Sequence, residues 1–390
     1  MSESTFPTSN QVEPPVEPAD DVFLEQESKA MVASQWKLMW WKLRRHRLAM
    51  ISGVIVILIY TVALFAEFFQ VVPQDQYAAN YTYAPPQPIH LIDTSSGKTQ
   101  IGLYVSGYKS QIDSFSLRRT FTVDPSQKIP VRLFAKGFEY KILGLIPSNI
   151  HLIGTVKQGD PLYLLGADSL GRDLLSRMVG GTRISMSIGL VGVTISLILG
   201  ILLGGISGYF GGVADNIIQR IIEFLRSMPT IPLWMSLAAA LPLTWPPLAI
   251  YFGITLILSF IGWTGLARVV RGRFLALREE DFVLAARLDG RTQIEIIIRH
   301  MVPSFLSHII ASITLAIPGM ILSETSLSFL GLGLKPPVVS WGVLLQDAQN
   351  IRAVSTAPWL MIPGLAVVIA VLSLNFFGDG LRDAADPYAR

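Results

Sequence analysis

Three long apolar stretches, Leu48–Phe69, Ile184–Ser207 and Trp359–Phe377, set the first constraint on this chain. Each approaches the roughly 20 residues that a helix needs to cross the hydrocarbon core of a bilayer. Inside that core only helices and closed barrels satisfy their own backbone polar groups. With 51% hydrophobic and 15% charged residues, the chain lies far from soluble averages and reads as an integral membrane protein. The other crossings are interrupted. Ile231–Leu241 is short but extends into Ile217–Met228, Leu248–Leu266 follows Pro246 and Pro247, and Phe305–Leu322 contains Pro318. Neighbouring helices re-satisfy backbone groups freed by proline, so the expectation is an all-α membrane bundle of about six crossings.

Charge sets the orientation. Lys42, Arg44, Arg45 and Arg47 precede the first crossing, and Arg268, Arg271, Arg273 and Arg278 follow the fourth. The positive-inside rule places both clusters, and with them both termini, in the cytoplasm. That rule also accounts for the net charge of +3, so no nucleic-acid partner is called for. The chain has no cysteine, which excludes disulfides, thiolate metal sites and thiol nucleophiles. Residues 1–30 are polar, acidic and proline-bearing and read as a disordered cytoplasmic tail; 31–69 form a basic entry and the first crossing.

Residues 70–165 then lie outside the membrane, and a stretch of that length should fold. Gln100–Val105, Thr120–Val123, Val131–Ala135 and Ile150–Val156 are short, β-branched or aromatic, and bounded by turn residues. They predict a small β-rich extracytoplasmic insertion, followed by a core with five crossings over 166–390.

Within that core Gly192, Ser196, Gly200, Gly204 and Gly208 recur at every fourth position. In lipid such a row permits close backbone approach; the spacing fits a partner helix of this chain and a second subunit equally. Glu324 opens a glycine-rich segment that is too polar to span and fits a cavity lining. Its carboxylate is either a pathway or gate group or a side chain reaching for the interface.

Glu279–Ser304 reads as two short helices between apolar stretches. The acidic run ending at Asp281 suits a helix N-terminus. Phe282, Ala285, Ala286 and Asp289 follow at helical spacing, and Gly290 supplies a left-handed stop. Thr292 with Glu295 forms a capping-box pattern, and Ile294, Ile297, Ile298 and Met301 make an apolar stripe up to Pro303. A docking element and a helix resting on the bilayer surface, favoured by Arg287, Arg291 and Arg299, both fit this pattern.

Recognisable catalytic and cofactor patterns are missing. Gly97-Lys98-Thr99 lacks the glycine a phosphate-binding loop needs five residues earlier, where Ile92 stands. The five histidines show no paired-ligand spacing, and His300 and His308 are too far apart for one helical turn. No catalytic residue, metal site or cofactor is expected.

Several stretches together resemble the permease subunits of ATP-binding-cassette importers, specifically the second permease of the dipeptide, oligopeptide and nickel branch. That family's cytoplasmic loop follows E-A-A, three residues, G, nine residues, I-x-L-P; here Leu284-Ala285-Ala286, Gly290 and His300-Met301-Val302-Pro303 keep the spacing. Leu284 stands for the glutamate, His300 for the isoleucine and Val302 for the leucine. Leu165–Asp173 with Ser176 and Arg177, Gly211–Met228 before Pro229, Glu324–Gly333 and the basic WKLRRHRLA entry add to the likeness.

The resemblance implies a subunit that is not itself an enzyme. It implies a second homologous permease, two cytoplasmic ATPase subunits and an extracytoplasmic solute-binding protein as partners in the cell membrane. The coupling loop, 268–304, would use Asp281, Phe282, Leu284, Ala285, Ala286, Gly290, Arg299, His300 and Pro303 to meet an ATPase. Peptides are the first expectation for substrate, with oligosaccharides and nickel carried by the same machinery as alternatives. A stand-alone secondary transporter is the rival class, and it predicts mid-helix ionisable groups and paired repeats that the sequence does not display.

Overall fold

The computed structural model describes residues 35–93, 100–112, 114, 119–157, 159–242 and 244–385. The 1–30 tail and the Gly97-Lys98-Thr99 turn lie outside them, as does the side chain of His308. The principal helices are α1 (Gln35–Arg45), α2 (Arg47–Leu64), α3 (Leu174–Phe210), α4 (Gly212–Ser227), α5 (Thr230–Ala239), α6 (Pro247–Leu277), α7 (Asp281–Leu288), α8 (Leu306–Phe329), α9 (Trp341–Gln346) and α10 (Ile362–Ala385). Among the described residues five helices are long and apolar enough to cross a membrane: α2, α3, α6, α8 and α10.

The third crossing is broken. Pro229 has no amide proton and disfavours helix at Met228, so the expected span divides into amphipathic α4 and the 10-residue α5. Together they return the chain. Ile218, Ile222 and Leu225 of α4 pack beside Trp263 and Ala267, while Ala238 beyond the break joins Tyr251 and Ile254 at the start of α6.

At 37 residues, α3 is about 55 Å long and exceeds the hydrocarbon thickness. It starts well before Ile184 because Asp173 caps it, accepting a hydrogen bond from the Ser176 amide at 2.7 Å. Its small-residue row packs against α6 of the same chain. Ser196 donates to the Ser259 carbonyl at 3.2 Å, and Ser259 donates to the Gly192 carbonyl at 3.0 Å. A Cβ on Gly204 would stand 2.4 Å from the Ala267 carbonyl oxygen, whereas one on Gly192 would meet Met320 and Ser259 at 3.4 Å. Gly204→Ala should therefore cost about 1–3 kcal/mol through helix displacement. Gly192→Ala should be nearly neutral, as thermal unfolding of the purified permease would register.

The insertion is an antiparallel meander in the order β1 (Ile89–Asp93), β2 (Gln100–Ile112), β3 (Arg119–Ile142) and β4 (Ile146–Thr155). Thr120–Val123 and Val131–Ala135, expected as separate strands, belong to the single strand β3. Its first half pairs with β2 and its second with β4. The register jumps between Ser106 and Gly107, leaving Pro125 in a bulge where its missing amide proton breaks no ladder bond.

His151, 1% exposed, fastens the sheet to the bundle. Its ring nitrogens lie 2.9 Å from the Glu67 carbonyl and 3.0 Å from the Phe138 carbonyl. The Ser176 hydroxyl at the start of α3 accepts the amides of Val71 and Val72 at 2.9 and 3.1 Å. The sheet thus caps one end of the bundle. At the opposite end Leu43, Ala49 and Ala384 unite α1, the start of α2 and the end of α10.

Candidate functional site

At the end opposite the sheet, α6 runs into a helical hairpin. α7 begins at Asp281, whose charge suits the helix dipole, and ends in a double lock: the Gly290 amide donates to the Arg287 carbonyl at 3.0 Å and the Arg291 amide to the Ala286 carbonyl at 3.2 Å. This paired closure requires a left-handed residue, and Gly290 has φ +74°. Thr292 then caps the next helix by accepting the Glu295 amide at 3.3 Å. Glu295 instead bonds Arg291 and Arg299, one turn to either side. The Arg291 guanidinium beside it draws its carboxyl below the usual range.

The second helix departs from its expected face. Ile297–Met301 form a π-helical turn before Pro303, a wide turn that eases the clash between the proline ring and the carbonyl four residues earlier. The turn also rotates the apolar stripe. Ile296 and Met301 are fully buried, while Ile294 and Ile298 are exposed.

The hairpin's inner face is welded to three long helices. Val283, Ala286, Ile296 and Met301 pack with Tyr209 of α3, Phe274 of α6, and Phe305 and Ile309 of α8 and its approach. The Phe274 and Phe305 rings meet edge-on at 5.7 Å. Arg287 lies over Tyr209 at 5.2 Å and donates to its hydroxyl at 3.3 Å. The outer face is apolar and open: Phe282, Leu284, Leu288, Ile294 and Ile298 are all exposed, Leu288 at 89%. Ala285, Gly290, Arg299 and Pro303 are exposed too, and His300 is half-buried. An exposed apolar face of this kind suits contact with a protein or with a membrane.

At the sheet end a second constellation surrounds Glu324, which is fully buried and does not reach for the interface. Ser328 and Ser340 donate to its Oε1 at 2.8 and 2.6 Å, and Ser185 approaches Oε2 at 3.5 Å. Each serine oxygen also accepts a backbone amide from the glycine-rich segment. Ser185 takes that of Trp341 at 3.1 Å, Ser328 that of Leu334 at 3.0 Å and Ser340 that of Val343 at 3.2 Å. With backbone donors fixed on the serine oxygens, the three hydroxyl protons point to the carboxylate. Glu324 is thereby the acceptor hub that binds α9 and its approach to α3 and α8.

The three serines escaped the sequence reading. Ser328, one turn from Glu324, was visible in principle; Ser185 and Ser340 join it only through tertiary packing. Nearby, buried Asp168 accepts Arg172 Nε at 2.7 Å and also pairs with Arg177. Burial pushes the Asp173 carboxyl up to about 6 despite its cap bonds to Ser176. Among the described residues no cluster of His, Cys, Asp and Glu could hold a metal.

Comparison with known proteins gives two family matches and several related permeases. Residues 200–390 match a family model described as binding-protein-dependent transport system inner membrane component, and 34–86 match the N-terminal TM domain of oligopeptide transport permease C. The sheet falls between these two regions. The oligopeptide transport system permease protein OppC of Haemophilus influenzae is 41% identical over 234 residues, covering 58% of this chain and 71% of that protein. OppC of Bacillus subtilis is 35% identical over 244 residues, covering 62% and 77%. The dipeptide transport system permease protein DppC of Lactococcus lactis is 42% identical over 233 residues, covering 58% and 64%. An inward-facing structure of the MetNI methionine ABC transporter aligns with 54% of this chain and 96% of its own at a TM-score of 0.41 and 17% identity. The chain belongs to the permease family of binding-protein-dependent ABC importers, multi-pass membrane subunits that are not themselves enzymes.

Proposed function

We propose that this permease forms a peptide pathway with a second, homologous permease. Two cytoplasmic ATPase subunits power it through the α7 hairpin, and an extracytoplasmic binding protein feeds it. The observation that carries the reading is the hairpin itself, with an open apolar outer face and an inner face locked to α3, α6 and α8. A groove closing on Phe282, Leu284 and Leu288 would move three long helices as one body. Different affinities of the ATPase pair for the inward-open and outward-open arrangements supply the drive for alternating access.

Arg271, Arg273 and Arg278 end α6 at the hairpin end, where α1 and the end of α10 also lie. The positive-inside rule therefore supports a cytoplasmic hairpin, cytoplasmic termini and an extracytoplasmic sheet. An extracytoplasmic sheet would enlarge the docking surface for the binding protein. Peptides are favoured over oligosaccharides and nickel because the related OppC and DppC proteins are named for oligopeptide and dipeptide transport. Reconstitution with the partner subunits should give ATP-dependent uptake of labelled short peptides. Uptake without ATPase subunits would replace this reading with a secondary transporter.

A further inference from the structure

α1 is a helix with two unlike sides. Met39 and Leu43 are buried, Leu43 in a cluster with Ala49 and Ala384. At 3.6 residues per turn, Trp36, Trp40, Arg44, Lys37, Trp41 and Arg45 share the other half of the cylinder, and all six are exposed. Lys37 lies 5.2 Å from the Trp41 ring centroid. Three tryptophans on one face of an 11-residue helix carry a large apolar area that water solvates poorly. His46 then leaves the helical region, with φ −83° and ψ 88°, and its ring accepts the Ala49 amide to cap α2. The chain therefore changes direction where the first membrane-spanning helix begins.

We propose that this face is a binding surface for anionic phospholipid headgroups of the leaflet at the hairpin end, with Trp36 and Trp40 at the acyl boundary and Lys37, Arg44 and Arg45 at the phosphates. Two observations select a lipid over a protein occupant. The face is continuous with the membrane boundary at Arg47, and no acidic residue occurs on α1 or α2, from Gln35 to Leu64. Tryptophan suits the headgroup level, and clustered cations beside a membrane helix attract anionic lipid. Because α1 clamps the start of α2 to the end of α10, the lipid would hold the bundle at the base from which the hairpin acts.

The test uses tryptophan fluorescence of the full permease in vesicles of phosphatidylcholine with brominated phosphatidylglycerol or brominated phosphatidylcholine. The signal lost in Trp36→Phe/Trp40→Phe should be quenched about twofold or more by the brominated anionic lipid relative to the neutral one. Lys37→Gln/Arg44→Gln/Arg45→Gln should abolish that preference while leaving neutral-lipid quenching in place. Equal quenching by the two lipids, or none of the Trp36 and Trp40 signal, overturns the proposal. So does loss of quenching on assembly with the other subunits, which would assign the face to a protein. The permease-alone arm requires no transport, so it stands or falls separately from the importer reading.

Discussion

A permease carrying Glu324→Ala should lose about 2–4 kcal/mol of stability, because a buried hydrogen-bonding group left unpaired costs about 1–3 kcal/mol, and with it most of its folded yield. The cost arises because three serine hydroxyls point at one carboxylate while their oxygens hold the amides of Trp341, Leu334 and Val343. Removing the acceptor leaves those protons unpaired in an apolar surround, or forces the serines to turn away and release the segment. Glu324→Gln separates geometry from charge. Its amide oxygen can still accept Ser328 and Ser340, and its NH2 group can donate to Ser185. The glutamine variant should therefore keep most of the stability. Thermal unfolding of both purified variants is the measurement; an alanine variant as stable as wild type would remove Glu324 from the role of hub.

Length made the spans legible, because α2, α3, α6, α8 and α10 each contain an apolar run that no soluble core explains. Local chemistry made the hairpin legible as well: Gly290 and Thr292 act where their types demand, since a left-handed closure and a side-chain cap depend on near neighbours. What stayed hidden was non-local or a matter of phase. The π-turn at Ile297–Met301 moved Ile294 and Ile298 off the buried face, and simple helical spacing carries no sign of such a turn. The Gly192–Gly208 row announced a close contact but not its partner, because Ser259 and Ala267 lie far along the chain. β3 joins the two expected segments because the bulge opposite Gly107 takes up Pro125, while Pro130 keeps its register with Tyr104.

Gly290→Val should leave the permease in the membrane but reduce co-purification of the ATPase subunits and ATP-driven uptake by about tenfold or more, equivalent to about 1.4 kcal/mol. Among the described residues nothing lies within 4 Å of a Cβ built at that position, so the substitution meets no clash there. The inner weld of Val283 and Ala286 to Phe274 and Tyr209 should survive it. The cost is conformational: φ +74° is an outlier for a β-branched residue, so the turn opens and Leu288 shifts relative to Ile294. Gly290→Asn separates the two ways in which docking could fail, because asparagine tolerates the left-handed region but adds bulk. Loss with valine alone would assign the defect to turn shape, and equal loss with both would place an ATPase surface directly against this turn. Unchanged association and uptake in the valine variant would instead sink the hairpin as the route by which ATP hydrolysis reaches α3, α6 and α8.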